Sequence, residues 1–421
     1  MNTSRLRHIL LSFTTGQGAL QAIQIVSGFV LVRYMDVHEY GVAAFLLAVQ
    51  GAAAALSDIG LRDGIVAIAG KDTTDKEKLG RLIGAAIHQR RINLVPVTIG
   101  ILIAFALLYH FQNVSLSTIL VLSSTSVAFA VFNGWNVYFA MPFVLSHDMK
   151  AYYLPQLTFQ TLRLALLLTA LALNLLDVAA LAIINLFSVI GSGLWYKNKS
   201  AKTISMPSIV FQEDIHHMRR YIAPLAPMTL FAAFQDQILI FIMSAFGQTA
   251  NLAQIFALGR LGALFQFFSS ATTNLAMPWL ARASNQELSL RFFIVFGGAL
   301  LVAIAVTLGA IIAPDAYLWI LGSNYSGLRF ELLLAVSSAS LSFLASILYL
   351  LNNSRNWLWP YSGASWIILV IPLQVVCVVG LDMTVTRGGL LMSLFVSLAA
   401  LLFHAFHTFL GFTIKNRTPA R

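Results

Sequence analysis

Arg163, Asp236 and Arg260 each stand inside a long apolar run, where a charge is costly. Arg163 occurs in Gln160-Thr161-Leu162-Arg163-Leu164, Asp236 between Gln235 and Gln237, and Arg260 in Leu258-Gly259-Arg260-Leu261-Gly262. An arginine stays charged at any relevant pH, and its forked donors match the oxygens of a phosphate. Two guanidiniums and one carboxylate leave net positive charge among apolar surroundings, which suits an anionic ligand. The plainer alternative is an ion pair between Asp236 and one arginine that fixes helix packing. Asp236 has a further use. A carboxylate in a low-dielectric site exchanges protons, so it is a candidate for coupling to a proton or sodium gradient.

Polar side chains recur at helical spacing in the same runs. Gln17, Gln21 and Gln24 share one face, extended by Ser27 and Gly28. Asn133, Asn136 and Tyr138 form a second face, and Gln266, Ser269, Ser270, Thr273 and Asn274 a third. Ser337, Ser338, Ser340, Ser342 and Ser346 follow further on. Such faces either wall a hydrophilic pathway, which suits carbohydrate hydroxyls, or hydrogen-bond one helix to another. Their recurrence across the chain favours an enclosed cavity, with Gln17, Gln21, Gln24, Asn133 and Asn136 as candidate binding residues. His404 and His407 are too few for a metal site. Gly64 to Lys71 superficially resembles a phosphate loop, but its glycine spacing is wrong and Asp72 replaces the needed Ser or Thr. No metal, nucleotide or other cofactor is expected beyond the coupling ion.

The elements that must position these residues are membrane helices. Hydrophobic residues make up 58% of the 421, charged residues only 10%, and the mean hydropathy is +0.81. A span needs roughly 20 mostly apolar residues. About twelve such runs are predicted: 9–32, 41–60, 92–110, 115–145, 156–174, 178–196, 221–245, 250–279, 292–313, 329–351, 359–380 and 388–412. The N-terminal run lacks a small-residue cleavage site and reads as a retained first span. Placing both termini in the cytoplasm puts 21 of the 26 basic residues inside and 3 outside, with Arg163 and Arg260 in spans. The net charge of +10 is therefore mainly a topology signal, and no soluble domain is left to bind nucleic acid. Cys377 is the only cysteine, so no internal disulfide forms.

The largest inside segments are Gly70–Arg91 and Trp195–Tyr221. The second leads into Ile215, Met218 and Ile222, with Ile209 and Phe211 before them, and is expected to lie on the inner membrane surface as a connector. It divides an all-α polytopic chain into two six-helix lobes, residues 1–205 and 206–421. Six is even, so the two halves enter from the same side, as parallel repeats related by a pseudo-twofold along the membrane normal. Short outer loops argue against a membrane enzyme, and buried arginines argue against a purely structural subunit.

Around the first turn the chain reads Arg33-Tyr34-Met35-Asp36-Val37-His38-Glu39-Tyr40-Gly41, then Asp58-Ile59-Gly60-Leu61. This resembles the Wzx-type polysaccharide flippases of the superfamily that also holds MurJ and the MATE exporters. Arg33, Glu39, Tyr40, Gly41, Asp58 and Gly60 match their pattern. Leu321-Gly322-Ser323-Asn324-Tyr325 is similar to their Phe-Gly-x-x-Tyr turn, with Leu321 in place of Phe. The resemblance implies an alternating-access transporter of the bacterial inner membrane. Its cargo would be an undecaprenyl-diphosphate-linked oligosaccharide destined for polysaccharide such as O-antigen, with membrane lipids and a polysaccharide polymerase as partners. A MATE-like exporter of small molecules is the alternative; cationic substrates would prefer acidic central residues.

Overall fold

Hydrocarbon offers no water to backbone N–H and C=O groups, so each span must satisfy its own. The computed structural model, which describes residues 3–413 except 70–74, 113, 147, 207–209, 224–225, 277–278, 281–282, 356 and 359–360, meets that demand with helices throughout. It is 88% helical, with no strand among the described residues. Among the described residues, eleven helices are long and apolar enough to cross a bilayer. The pair Thr229–Gln235 and Gln237–Phe246, bent by 49°, makes a twelfth when taken as one span. The chain is a multi-pass membrane protein, and the expected number of spans is present.

The described helices pack into two units. The first comprises Met1–Val30 and His38–Ala245, the second Leu31–Val37 and Phe246–Arg421. By packing, the seventh span therefore goes with the first unit, whereas the repeat argument divides the chain at 205/206.

The first unit contains α1 (Thr3–Tyr34, up to Val30), α2 (Val37–Asp58), α3 (Leu61–Ala69), α4 (Lys76–Gln112), α5 (Leu116–Tyr138), α6 (Met141–Leu145), α7 (Met149–Ala172), α8 (Val178–Ser200), α9 (Gln212–Ile222) and α10 (Ala226–Phe246). At 37 residues α4 is about 55 Å long, well beyond the roughly 30 Å hydrocarbon core. The expected inside segment Gly70–Arg91 is thus, from Lys76 on, the start of this helix. Leu79, Ile83 and Ala86 form its buried stripe, joined to Leu61, Ile65, Tyr138 and Tyr196 in one core.

The connector departs from expectation. Its helix α9 turns Ile215, Met218 and Ile222 into that same core, so this apolar face covers α3 and α4 rather than lipid. A Cβ on Gly64 would lie 2.6 Å from Met218 Sδ, so glycine makes the seat for α9. Arg81 clamps the helix with a forked pair to Asp214 (2.8 and 3.1 Å) and lies over the exposed Phe211 ring. Ile209 lies outside the described residues.

The second unit contains α11 (Thr249–Gly259), α12 (Ala263–Ala271), α13 (Asn285–Ile312), α14 (Pro314–Leu321), α15 (Arg329–Ser354), α16 (Ser362–Gly380) and α17 (Thr386–Thr413). A tight turn at Arg260–Gly262 separates α11 from α12, and a widened turn follows at Thr272–Ala276. The serine stripe of α15 binds other helices. Ser338 bonds Ser393 (2.7 Å) and Ser397 (3.0 Å) of α17, Ser342 bonds Ser397 (2.8 Å), and Ser340 bonds Thr307 of α13 (2.9 Å). Expected as part of a cavity wall, this face is mostly interhelical adhesion. Gly411 brings α17 against Trp357, whose ring meets Phe412.

Candidate functional site

Three helices of the first unit turn polar faces toward one another. On α5 these are Asn133 and Asn136, three apart; on α7, Tyr152, Gln156 and Gln160, four apart; on α8, Ser188, Ser192 and Tyr196, four apart. They enclose a cavity of about 240 Å³. Small residues let the helices approach: a Cβ on Gly191 would lie 2.0 Å from the Phe159 ring, and one on Gly193 would lie 3.1 Å from Trp135 Cβ.

The lining is cross-linked. Asn136 Nδ2 donates to the Val189 carbonyl (2.8 Å), and Ser188 Oγ to the Phe159 carbonyl (3.2 Å). Gln156 Nε2 donates to Tyr196 Oη (3.0 Å), whose hydroxyl donates to the Tyr152 carbonyl. Gln160 Oε1 is buried and accepts no hydrogen bond from the described residues. Among the described residues, Arg62, exposed just beyond α2, is the one charged lining residue, and no carboxylate lines the cavity. Amides, hydroxyls and aromatic walls suit an uncharged, hydroxyl-rich group, with a guanidinium available for one anionic substituent.

Of the residues singled out in the sequence, Asn133 and Asn136 line this cavity. Arg163 does not; it lies half-buried on α7 and donates from Nε to Asn185 Oδ1 on α8 (2.5 Å). Arg260 belongs to the second unit and sits over the Phe256 ring, 4.6 Å from its centroid. The three glutamines of α1 have different surroundings. Gln17 accepts from Tyr153 Oη (3.4 Å), Gln21 is buried, and Gln24 is exposed. The side chain of Asp236 lies outside the described residues, as does that of Asn274.

The motif residues secure helix ends. Glu39 Oε2 accepts from the Val178 N–H at the start of α8 (3.0 Å), beside the cap made by Asp177 on Ala180 (2.7 Å). Tyr40 is fully buried and Gly41 buried beside it. Gly60 has φ +78, the left-handed turn between α2 and α3. Within the second unit, Arg33 donates to the Trp319 carbonyl (2.9 Å) and lies over its indole, while Gly322 at φ +109 packs against Arg33. The two motifs, far apart in sequence, are thus in contact.

One constellation escaped the sequence reading. Arg90, counted there among the inside basic residues, is only 3% exposed, and its guanidinium lies 5.7 Å from the Tyr138 ring centroid. Tyr138 Oη donates to Asp58 Oδ1 (2.8 Å). The signal was present: Arg90 follows Ala86 by four and Ile83 by seven, on the buried stripe of α4.

No protein-family model and no curated protein sequence matches the chain. Solved structures do. The lipid II flippase MurJ in an inward closed conformation superposes with TM-score 0.70 at 11% identity, covering 96% of this chain and 88% of that one. An inward-facing multidrug resistance MATE transporter of the MOP superfamily gives 0.61 at 14%, covering 94% and 96%. The eukaryotic MATE transporter AtDTX14 gives 0.62 at 12%, covering 97% and 95%. The chain therefore has the helical fold of the MOP-superfamily transporters, shared by MATE proteins and the MurJ flippase.

Proposed function

We propose that this transporter flips an undecaprenyl-diphosphate-linked oligosaccharide from the inner to the outer leaflet of a bacterial inner membrane, by alternating access. Both termini lie in the cytoplasm in this reading, and a polysaccharide polymerase takes the cargo on the far side. The observation that carries it is the cavity between α5, α7 and α8, whose described lining offers amides, hydroxyls and tyrosines, one arginine and no carboxylate. A glycan loses its hydration in hydrocarbon, and such a lining replaces it. A cationic drug would instead be served by acidic groups. Arg163 and Arg260 are the proposed partners of the diphosphate, Gln17, Gln21 and Gln24 further polar contacts, and Asp236 the site of coupling to H+ or Na+. The polyprenyl tail stays in lipid.

The test is complementation of a polysaccharide-negative strain at matched protein levels. Asn133→Leu, Arg163→Ala and Arg260→Ala each lower surface polysaccharide, and Asp236→Asn abolishes its dependence on the ion gradient. Wild-type polysaccharide from all three of the first variants refutes the cargo. Efflux of cationic dyes by the intact protein, without flipping of lipid-linked oligosaccharide in liposomes, would replace it with the MATE-like reading that the fold also supports.

A further inference from the structure

The first unit holds a second cavity, and this one is apolar. It lies between α2, α4 and α10 and has a volume of about 310 Å³. Small residues make the space: Pro96, Gly100 and Ala104 recur four apart on α4, and Ala52 and Ala53 of α2 join them. Helix α10 supplies Leu230 and Phe234 before its 49° bend and Phe241 after it. Pro96 and Gly100 are exposed, beside the exposed Val95 and Ile99, so the cavity opens sideways to lipid. From Asn93 to Ala104 it runs about 16 Å along α4. One leaflet of hydrocarbon is about 15 Å deep, half of the full core.

The end near α9 is polar. Asn93 is the one polar side chain among the described lining. It donates to the Ser57 carbonyl (3.3 Å) and accepts from Gln89 (3.2 Å), and Gln89 accepts from Nε of Arg219 on α9 (2.7 Å). The Arg219 side chain is exposed there. Nearby carboxylates are engaged elsewhere: Asp214 of α9 holds Arg81, and Asp58 accepts from Tyr138 beside Arg90.

A slot one leaflet deep, apolar along its length and with a fixed guanidinium at its mouth, matches a lipid with its chain inside and an anionic head outside. We propose that it holds one acyl chain of an anionic phospholipid from the leaflet on the α9 side, with the phosphate at Arg219. The chain touches both arms of α10 and so supports its bend. A lipid-linked glycan fits the mouth less well, because beside Arg219 it offers only Gln89 and Asn93, each already bonded. The site stands whatever the cargo is and whichever face is cytoplasmic.

The test is native mass spectrometry of the full chain, delipidated in detergent and titrated with phosphatidylglycerol or with phosphatidylcholine of the same chains. The parent binds one phosphatidylglycerol well ahead of any further copy. A Cβ on Gly100 would meet none of the described residues within 4 Å, so Gly100→Leu fills the slot without disturbing α4. It weakens the first copy of either lipid by about tenfold or more, since excluding about two methylenes is enough for that loss. Gly298→Leu, on the open face of α13, leaves both affinities unchanged. Arg219→Gln weakens phosphatidylglycerol about three- to fivefold and leaves phosphatidylcholine unchanged. No discrete first copy in the parent, or equal affinity in Gly100→Leu and its parent, overturns the slot. An unchanged affinity in Arg219→Gln, or an equal loss for both lipids, overturns the placement of the phosphate. Displacement of phosphatidylglycerol by equimolar undecaprenyl phosphate overturns the phospholipid and gives the slot to a polyprenyl chain. Failure of polysaccharide flipping touches none of these results.

Discussion

Replacing Gly134 by alanine sets two effects of opposite sign against each other. In a helix interior Gly→Ala gains about 1 kcal/mol of propensity. Here the new Cβ would lie 2.6 Å from Arg90 Nε and 2.8 Å from its Cδ. Ordinary contact begins near 3.5 Å, so the middle of that side chain must retreat by about 1 Å. The Arg90 side chain is buried, so it has no solvent to retreat into. The retreat strains or breaks its bond to the Ala130 carbonyl, a charged hydrogen bond of about 1.5–3 kcal/mol. It also disturbs the approach to Tyr138, about 1–2 kcal/mol where water is excluded. The losses exceed the gain, and a net destabilisation of about 1–3 kcal/mol follows. Gly84→Ala on α4 is the control, since none of the described residues lies within 4 Å of its added Cβ; it gains up to about 1 kcal/mol. Thermal or denaturant unfolding in detergent, read beside the parent, distinguishes them. Equal stabilisation by both variants would mean that Arg90 is not seated in the Gly134 slot, and the account of that constellation fails.

Ser397→Ala removes the hub joining Ser338 and Ser342 across α15 and α17, and its expected cost is about 1 kcal/mol, read as a lowered unfolding temperature. Gly322→Ala forces a side chain into φ +109 against Arg33; it costs about 1–3 kcal/mol and lowers the yield of folded protein on size exclusion. Gly411→Ala places a Cβ 2.2 Å from the buried Trp357 ring and costs about 1–3 kcal/mol in the same unfolding assay. A Gly411→Ala variant as stable as its parent would mean that α17 does not lie against Trp357.

The spans were legible because bilayer thickness dictates the length of an apolar run, whatever the run packs against. What each polar face meets was not legible. A 3.6-residue period says which residues share a face but not whether a helix or a cavity lies opposite. Asn133 and Asn136 met a cavity, while Ser338 and Ser342 met Ser397. Arg90 was hidden for a related reason. Charge counting assigns a basic residue in a polar segment to the aqueous side, yet that segment is a helix whose stripe runs inward. The docking of α9 depends on a notch at Gly64, which only the neighbouring helices define.

The residues that carried the family resemblance are those with the fewest physical substitutes. A turn at φ +78 or +109 calls for glycine, an N–H at a helix start calls for an acceptor such as Glu39, and a carbonyl beside an indole face calls for Arg33. None of these positions lines the polar cavity. Cavity walls work under a looser constraint, because Asn, Gln, Ser and Tyr exchange for one another as long as donors and acceptors face the cargo. Short motifs can therefore persist across transporters whose cargoes differ, and they report the scaffold. In the proposed reading the faces between α5, α7 and α8 meet the cargo, and their described lining, with Arg62 and no carboxylate, suits a hydroxyl-rich group bearing an anionic substituent.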